Sequence, residues 1–372
     1  MTDPLRISAT YRLRAPAGDG THRAQQLALE QSIEMLATSV TDPHVLDTMV
    51  ARVDNVATDG DGTHTARLAL SAETVGEDAG QLMNMLFGNA SLQPDVELID
   101  VELPAALAGA WGGPNHGIAG MRRHTGALER PLTCTALKPI GSTIEALVHM
   151  CSVFTCAGID VIKDDHGWVN QRSAPFAERV RACQQAVTKS NAARSGGRSL
   201  YAPSLFGHFD EMRKQIELAR REGVQLVLIA PMVCGVATLF ALKREFEDMM
   251  FIAHPSLGGL RIAPEALFGK LFRLFGADAV IFPNHGGRFS YAREVCHAIA
   301  RHNTQPWHDL KPTMPTPAGG MSVQRAAEMV AEYGRDSMLL IGGALLSARE
   351  QLAARSTQFV TAVALAAEAV TA

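Results

Sequence analysis

Gly158-Ile159-Asp160-Val161-Ile162-Lys163-Asp164-Asp165-His166-Gly167 is an apolar run that stops abruptly at a lysine, two aspartates and a histidine. β-Branched residues dominate it and a glycine opens it, so it predicts a buried strand. Its polar tail then stands at the strand's carboxyl end. Barrel and open-sheet α/β proteins keep their chemistry there, because the loops vary while the strand holds the first polar residues rigidly. Lys163, Asp165 and His166 are thus the first candidate site residues. Taken alone, a solvated turn with ordinary loop charges explains them equally well, and the rest of the chain has to decide.

Downstream of Pro131 the same grammar repeats. Strands are expected at 132–139, 159–163, 200–205, 224–230, 250–254, 279–282, around 312–316, and at 337–341. Helices alternate with them at 142–157, 174–193, 209–222, 236–248, 264–275, 291–301, 323–333 and 344 to about 367. Ser142 and Glu145 have the spacing of a capping box, and Pro175 and Pro264 stand where a first helical turn tolerates a missing N–H. Gly223, Gly276 and Gly334 each follow a helix and precede a strand, as a left-handed cap requires. Eight β/α units with short connections close most naturally into a (β/α)8 TIM barrel over 131–372, since closure removes the sheet edges. A doubly wound open sheet is the second possibility.

Upstream, the pattern is mixed. Ile7, Ala9, Tyr11 and Leu13 alternate with polar residues in a half-buried strand over 6–13, and Leu27, Ile33 and Leu36 give 23–36 a helical spacing. Strands at 45–56, 64–71 and 96–103 and a helix at 80–87 complete a small α+β, ferredoxin-like domain over 1–130. The 372 residues suit such a domain plus one barrel. With 34 Lys and Arg against 38 Asp and Glu and no basic cluster interleaved with aromatics, no nucleic-acid partner is expected. The amino terminus lacks a basic stretch followed by an apolar core, and no run spans a bilayer, so a cytoplasmic protein without membrane contact is expected. Cysteines 134, 151, 156, 183, 234 and 296 show no CxxC or His/Cys spacing; buried thiols are expected, and zinc is not.

The carboxyl ends of the expected strands carry Lys138 on the first, Lys163, Asp165 and His166 on the second, and His254 on the fifth. Asn284, His285 and Arg288 follow the sixth, Gly319-Gly320 the seventh and Gly342-Gly343 the eighth. A lone histidine is more often a satisfied core residue and a glycine pair more often a turn. Joint placement on one rim is what points to a site. Barrels hold phosphate with the loops after strands seven and eight, where glycine N–H groups and a helix N-terminus face the anion. Arg288 adds a planar fork for a second anionic group, so a small phosphorylated substrate is expected. Asp165 favours Mg²⁺, but a charged lysine beside it repels the ion. The conflict resolves if CO₂ carbamylates Lys163 into an anionic oxygen ligand.

The stretch 158–166 resembles the metal-binding segment of the RuBisCO large-subunit superfamily. There, the lysine of a Lys-Asp-Asp-Glu run is carbamylated and holds Mg²⁺ with the second aspartate and the glutamate. Thr135-Ala136-Leu137-Lys138-Pro139 resembles the family's first-strand Lys-Pro segment, and His254, Ala318-Gly319-Gly320 and Gly342-Gly343 fall where the family places its fifth-strand histidine and phosphate loops. Leu29-Glu30-Gln31-Ser32 and Phe87-Gly88-Asn89 look like the segments that lend a glutamate and an asparagine to a neighbouring subunit's site. The resemblance therefore implies a homodimer sharing Glu30 and Asn89.

The departures are equally telling. Ile140 replaces the second lysine of Lys-Pro-Lys, Pro255 the arginine after the fifth-strand histidine, Ala318 a serine, and His166 the metal glutamate; no lysine stands in the loop after strand six. Losing those donors removes the means to stabilise a carboxylated intermediate. The chain resembles a form IV RuBisCO-like protein, not a carboxylase. The resemblance implies metal-assisted enolisation of a phosphorylated ketose, of isomerase or enolase type, such as 5-methylthioribulose 1-phosphate isomerase in sulfur salvage. Metal ligands would be Lys163, Asp165 and His166, the base Lys138 or the carbamate on Lys163, and the orienting groups His254 and His285. A decarboxylase or hydrolase of a 3-oxo sugar-acid phosphate, of isoapionate type, is the alternative if Arg288 or Arg261 keeps the pocket basic. An inactive binding or regulatory module is the other.

Overall fold

The computed structural model describes residues 5–371; the stretch Met1-Thr2-Asp3-Pro4, part of the amino terminus read above for the absence of a leader, lies outside the described residues. Strand β1 (Arg6–Arg14) leads into helix α1 (Gly20–Glu30), then come β2 (Arg52–Gly60), β3 (Thr63–Ser71), α2 (Ala79–Phe87) and β4 (Val96–Glu102). The strands pair antiparallel in the order β2-β3-β1-β4. Alternation does what it predicts: Ile7, Ala9, Tyr11 and Leu13 are fully buried, and the Tyr11 hydroxyl donates to the Leu86 carbonyl of α2 at 2.7 Å. Residues 45–49, expected as strand, form a helical turn instead (Val45–Met49). The Asp42 carboxylate accepts from the His44 N–H at 2.9 Å and its carbonyl from the Leu46 N–H at 3.2 Å, which turns the chain after Pro43.

Two helices between the sheets were not anticipated, α3 (Ala105–Trp111) and α4 (Gly117–Thr125). Five glycines between 109 and 120 make this stretch read as loop. In α4 they serve close packing: a Cβ on Gly117 would stand 2.5 Å from the Pro312 carbonyl oxygen.

Eight parallel strands follow: β5 (Leu132–Leu137), β6 (Val161–Asp164), β7 (Leu200–Ala202), β8 (Leu226–Ile229), β9 (Met250–Ala253), β10 (Ala279–Pro283), β11 (Met314–Ala318) and β12 (Met338–Leu340). They bond in the order β7-β6-β5-β12-β11-β10-β9-β8. The ring closes where Leu205 N–H donates to the Leu228 carbonyl at 2.8 Å and Leu228 N–H to the Pro203 carbonyl at 2.9 Å. The barrel expected from the β/α alternation is therefore present, and the open sheet is not. Between the strands run α5 (Ile144–Ala157), α6 (Phe176–Ala192), α7 (Phe209–Arg221), α8 (Pro231–Cys234), α9 (Val236–Glu245), α10 (Phe272–Leu274), α11 (Arg293–Thr304) and α12 (Ala326–Tyr333). The last segment divides into α13 (Gly343–Leu346) and α14 (Leu352–Thr371), broken where Arg349 takes φ 46°. The cap of α5 lies one residue later than expected. Thr143 accepts from the Ala146 N–H at 3.3 Å, while the Ser142 hydroxyl is turned back to donate to the Pro139 carbonyl at 2.8 Å. Of the cysteines, Cys156 is exposed and Cys234 half-buried, while the other four are buried as expected.

Alternate side chains of each strand fill the lumen, among them Leu132, Cys134, Val161, Leu228, Ile252, Ile281, Met314 and Met338. Ile118 and Met121 of α4 join the same cluster, so α4 stoppers the amino-terminal end of the barrel. One buried carboxylate fixes it there. Asp278 accepts from the N–H groups of His116 (2.8 Å), Gly117 (2.7 Å) and Phe251 (2.8 Å), tying the start of α4 to β9. Asp278→Ala strands three amides in the interior and should cost on the order of 3 kcal/mol, read as a lowered urea midpoint.

Candidate active site

Strand parity aims the candidates. Lys138 follows the lumen-facing Leu132 and Cys134 by even steps, Lys163 and Asp165 follow Val161, and His254 follows Met250 and Ile252. All four therefore point into the carboxyl-terminal mouth. Asp164, of opposite parity, points outward, where it accepts from Arg179 Nε (3.1 Å), the Tyr201 hydroxyl (2.8 Å) and the Ser204 N–H (3.1 Å). Both members of the Asp164–Arg179 pair are fully buried. The two neighbouring aspartates thus belong to different worlds: one bolts strand to helix, the other faces the mouth.

Lys163 is 3 % exposed, and its Nζ donates to the Asp164 carbonyl at 3.1 Å. Burial drives its ammonium below the usual lysine range, against the pull of the Cys134 thiol and of Asp165. Lys138 Nζ donates to Asp165 Oδ2 at 2.6 Å, and His166 Nδ1 lies 3.4 Å from Asp165 Oδ1. Burial pushes the Asp165 carboxyl up, but hydrogen bonds from His166 and Lys138 and the charge of Lys163 outweigh it and hold the group well below the usual carboxylate range. The His166 ring stacks on His254 at 4.1 Å between centroids. Burial, with Lys163 and His166 nearby, pushes His254 down to about 2, so its imidazole is neutral; its Nδ1 sits 2.8 Å from the Ser256 hydroxyl.

Asp165 offers the oxygen that the implied magnesium prefers, while the His166 imidazole suits other divalent ions better. Two ligands side by side on an octahedral ion stand about 3 Å apart, close to the 3.4 Å between Asp165 Oδ1 and His166 Nδ1. Burial shifts the Lys163 ammonium toward the neutral amine, the form that CO₂ carbamylates, and a carbamate there would supply an anionic oxygen beside Asp165.

Across the mouth, the glycine loops meet backbone to backbone. A Cβ on Gly287 would stand 2.9 Å from the Gly319 carbonyl carbon, and one on Gly320 2.5 Å from the Gly286 oxygen. Gly319 and Gly320 take φ 98° and 66°, which favour glycine. Gly342 and Gly343 lead into α13 at the end of β12. Arg288 is exposed and lies 4.5 Å over the Phe289 ring. His285 is turned sideways. Its Nε2 lies 2.8 Å from Glu332 Oε2, whose other oxygen is 2.6 Å from His297 Nε2. His285, Glu328 and Glu332 offer three ligand atoms within 4.8 Å of one another, but Arg293 and Arg325 pair with those carboxylates and leave no charge for a cation. Glu332 and Arg325 escaped the sequence reading, since helix surface positions carry no signal of contacts across to a loop. Glu30 and Asn89 come together, Asn89 Nδ2 donating to Glu30 Oε1 at 2.9 Å, and both line a small cleft of the amino-terminal domain away from the mouth residues.

Comparison with known proteins agrees with this geometry. Residues 117–370 match the ribulose bisphosphate carboxylase large chain, catalytic domain family. The chain is 50 % identical over 369 residues to 5-methylthioribulose-1-phosphate isomerase of Rhodospirillum rubrum, covering 99 % of this chain and 98 % of that one. It is 47 % identical over 360 residues to ribulose bisphosphate carboxylase-like protein 1 of Rhodopseudomonas palustris, covering 96 % and 98 %. The crystal structure of a Rubisco-like protein from Rhodopseudomonas palustris superposes with TM-score 0.90 at 44 % identity, covering 98 % of both chains. The chain therefore belongs to the RuBisCO large-chain family, as a RuBisCO-like protein.

Proposed function

We propose that the protein enolises a phosphorylated ketose and returns the proton to a neighbouring carbon, with 5-methylthioribulose 1-phosphate as substrate. The observation that carries this reading is the buried Lys163 facing the mouth beside the Lys138–Asp165 pair, with glycine loops opposite. The half-identical isomerase from Rhodospirillum rubrum supplies the substrate. Magnesium held by Asp165, His166 and a carbamate on Lys163 would supply Lewis acidity toward a carbonyl and its neighbouring hydroxyl. Lys138, held by Asp165, carries the proton at Nζ between the two carbons. His254, with Nδ1 against Ser256, offers Nε2 to a substrate oxygen. His285, engaged by Glu332, has the lesser task of holding its loop. The glycine loops and Arg288 receive the phosphate.

The decarboxylase alternative needs a basic wall. Arg261 instead donates from Nε to the Val96 carbonyl, at 3.1 Å, and from Nη2 to the Ser91 carbonyl, which ties one edge of its guanidinium to the backbone of the amino-terminal domain. The isomerase reading is preferred on that ground. A homodimer goes with it: Ile140, Val233, Leu257, Leu260 and Phe289, from segments that follow barrel strands, are exposed, as is Leu92, and a second copy would cover such apolar side chains while bringing Glu30 and Asn89 to the site. A cytoplasmic location also fits, since an exposed thiol such as Cys156 stays reduced there.

The test is turnover in deuterated water with magnesium and bicarbonate. 5-Methylthioribulose 1-phosphate should be isomerised with solvent deuterium entering the carbon skeleton, while labelled CO₂ is not fixed. If mass spectrometry finds neither product nor label, the reading is wrong.

A further inference from the structure

Arg325 stands at the start of α12 and reaches back across both glycine loops. Its Nη1 donates to the Gly320 carbonyl at 3.0 Å and to the His285 carbonyl at 3.4 Å. The opposite edge of the guanidinium is gripped by Glu328, Nε to Oε2 at 3.0 Å and Nη2 to Oε1 at 3.1 Å, and this two-point pairing sets its plane. The loops it joins are those that touch through Gly286-Gly287 and Gly319-Gly320, where a side chain on Gly287 or Gly320 would force them apart. His285 is held a second time through its ring by Glu332. One cation therefore sits behind the meeting point of the loops that follow β10 and β11, fixed by a carboxylate that belongs to neither loop.

In a planar trans peptide the C=O and the following N–H point in opposite directions. With the His285 and Gly320 oxygens drawn onto the guanidinium, the N–H groups of Gly286 and Met321 are turned away from it. We infer that Arg325 is a positioning residue for phosphate recognition: by holding the His285 and Gly320 carbonyls on one guanidinium it orients the loop amides that receive the substrate's phosphate. The inference rests on the phosphate assignment made under the proposed function. Arg325 acts through the backbone and does not touch the reacting carbons.

The test uses the full-length enzyme with magnesium and bicarbonate, 5-methylthioribulose 1-phosphate as substrate and inorganic phosphate as competitive inhibitor. R325Q should raise both KM and the phosphate inhibition constant about tenfold while kcat stays within about twofold, because the lost interaction is shared by ground and transition states. R325K keeps the charge but cannot join two carbonyls to Glu328, and should recover only a small part of the loss. E328Q, which leaves the guanidinium in place and loosens its anchor, should move both constants the same way by a smaller factor, and it stands in if R325Q fails to fold. An unchanged phosphate inhibition constant in folded R325Q, full recovery in R325K, or a fall in kcat with KM unmoved would each overturn the inference while leaving the proposed reaction intact. A wild-type enzyme that isomerises the ketose without inhibition by phosphate would also overturn it. Failure of the wild type to turn over any phosphorylated ketose would overturn the proposed function first, and this inference with it.

Discussion

Lys163→Ala should abolish deuterium incorporation, lowering turnover by about 1,000-fold or more, because it removes the amine on which the proposed carbamate would form and offer an anionic oxygen to the metal. Among the described residues its Nζ makes one hydrogen bond, to the Asp164 carbonyl, so the barrel should still form and circular dichroism should be unchanged. The wild type should gain activity on incubation with bicarbonate, since burial biases its lysine toward the amine that CO₂ attacks. The variant should show no bicarbonate effect at all. A variant that retains exchange at the wild-type rate would remove Lys163 from the chemistry.

The second large effect separates two adjacent residues. Asp165→Asn should leave the fold near its original stability and lower activity at least about 100-fold, through loss of the negative charge that pairs with Lys138 and that the proposed metal would use. Asp164→Ala should do the reverse to begin with. It leaves the fully buried Arg179 guanidinium without its carboxylate and should destabilise the protein by about 3–5 kcal/mol, read from urea unfolding. Arg179 also donates to the carbonyls of Val169 (3.0 Å) and Ala174 (2.7 Å), so the loop after β6 should loosen with it. Equal stability of the two variants would contradict the assignment of one aspartate to the frame and the other to the mouth.

Alternation explains why this much was readable in the chain. A strand has a period of two, so Val161, Lys163 and Asp165 share a face whatever the rest of the protein does, and so do Cys134 and Lys138 or Ile252 and His254. Eight such strands separated by helical spacings leave few topologies open. What escaped was decided by contacts between distant segments. α4 looks like a glycine-rich loop until Asp278 and Pro312, more than 150 residues on, meet its first turn. His285 looks like a rim residue, and only the approach of α12 brings Glu332 to its ring. Ser142 matched a capping pattern, yet the turn beginning at Pro139 claimed its hydroxyl.

The stopper at the amino-terminal end of the barrel has a kinetic corollary. Ile118 and Met121, packed among the lumen side chains, close the amino-terminal end of the barrel among the described residues. Under the proposed reaction, substrate and product would share the portal at the carboxyl-terminal mouth, so a spent molecule would have to vacate before a fresh one docks. Product should therefore inhibit in strict competition with substrate, and a partner enzyme waiting for that product can collect it only from the rim.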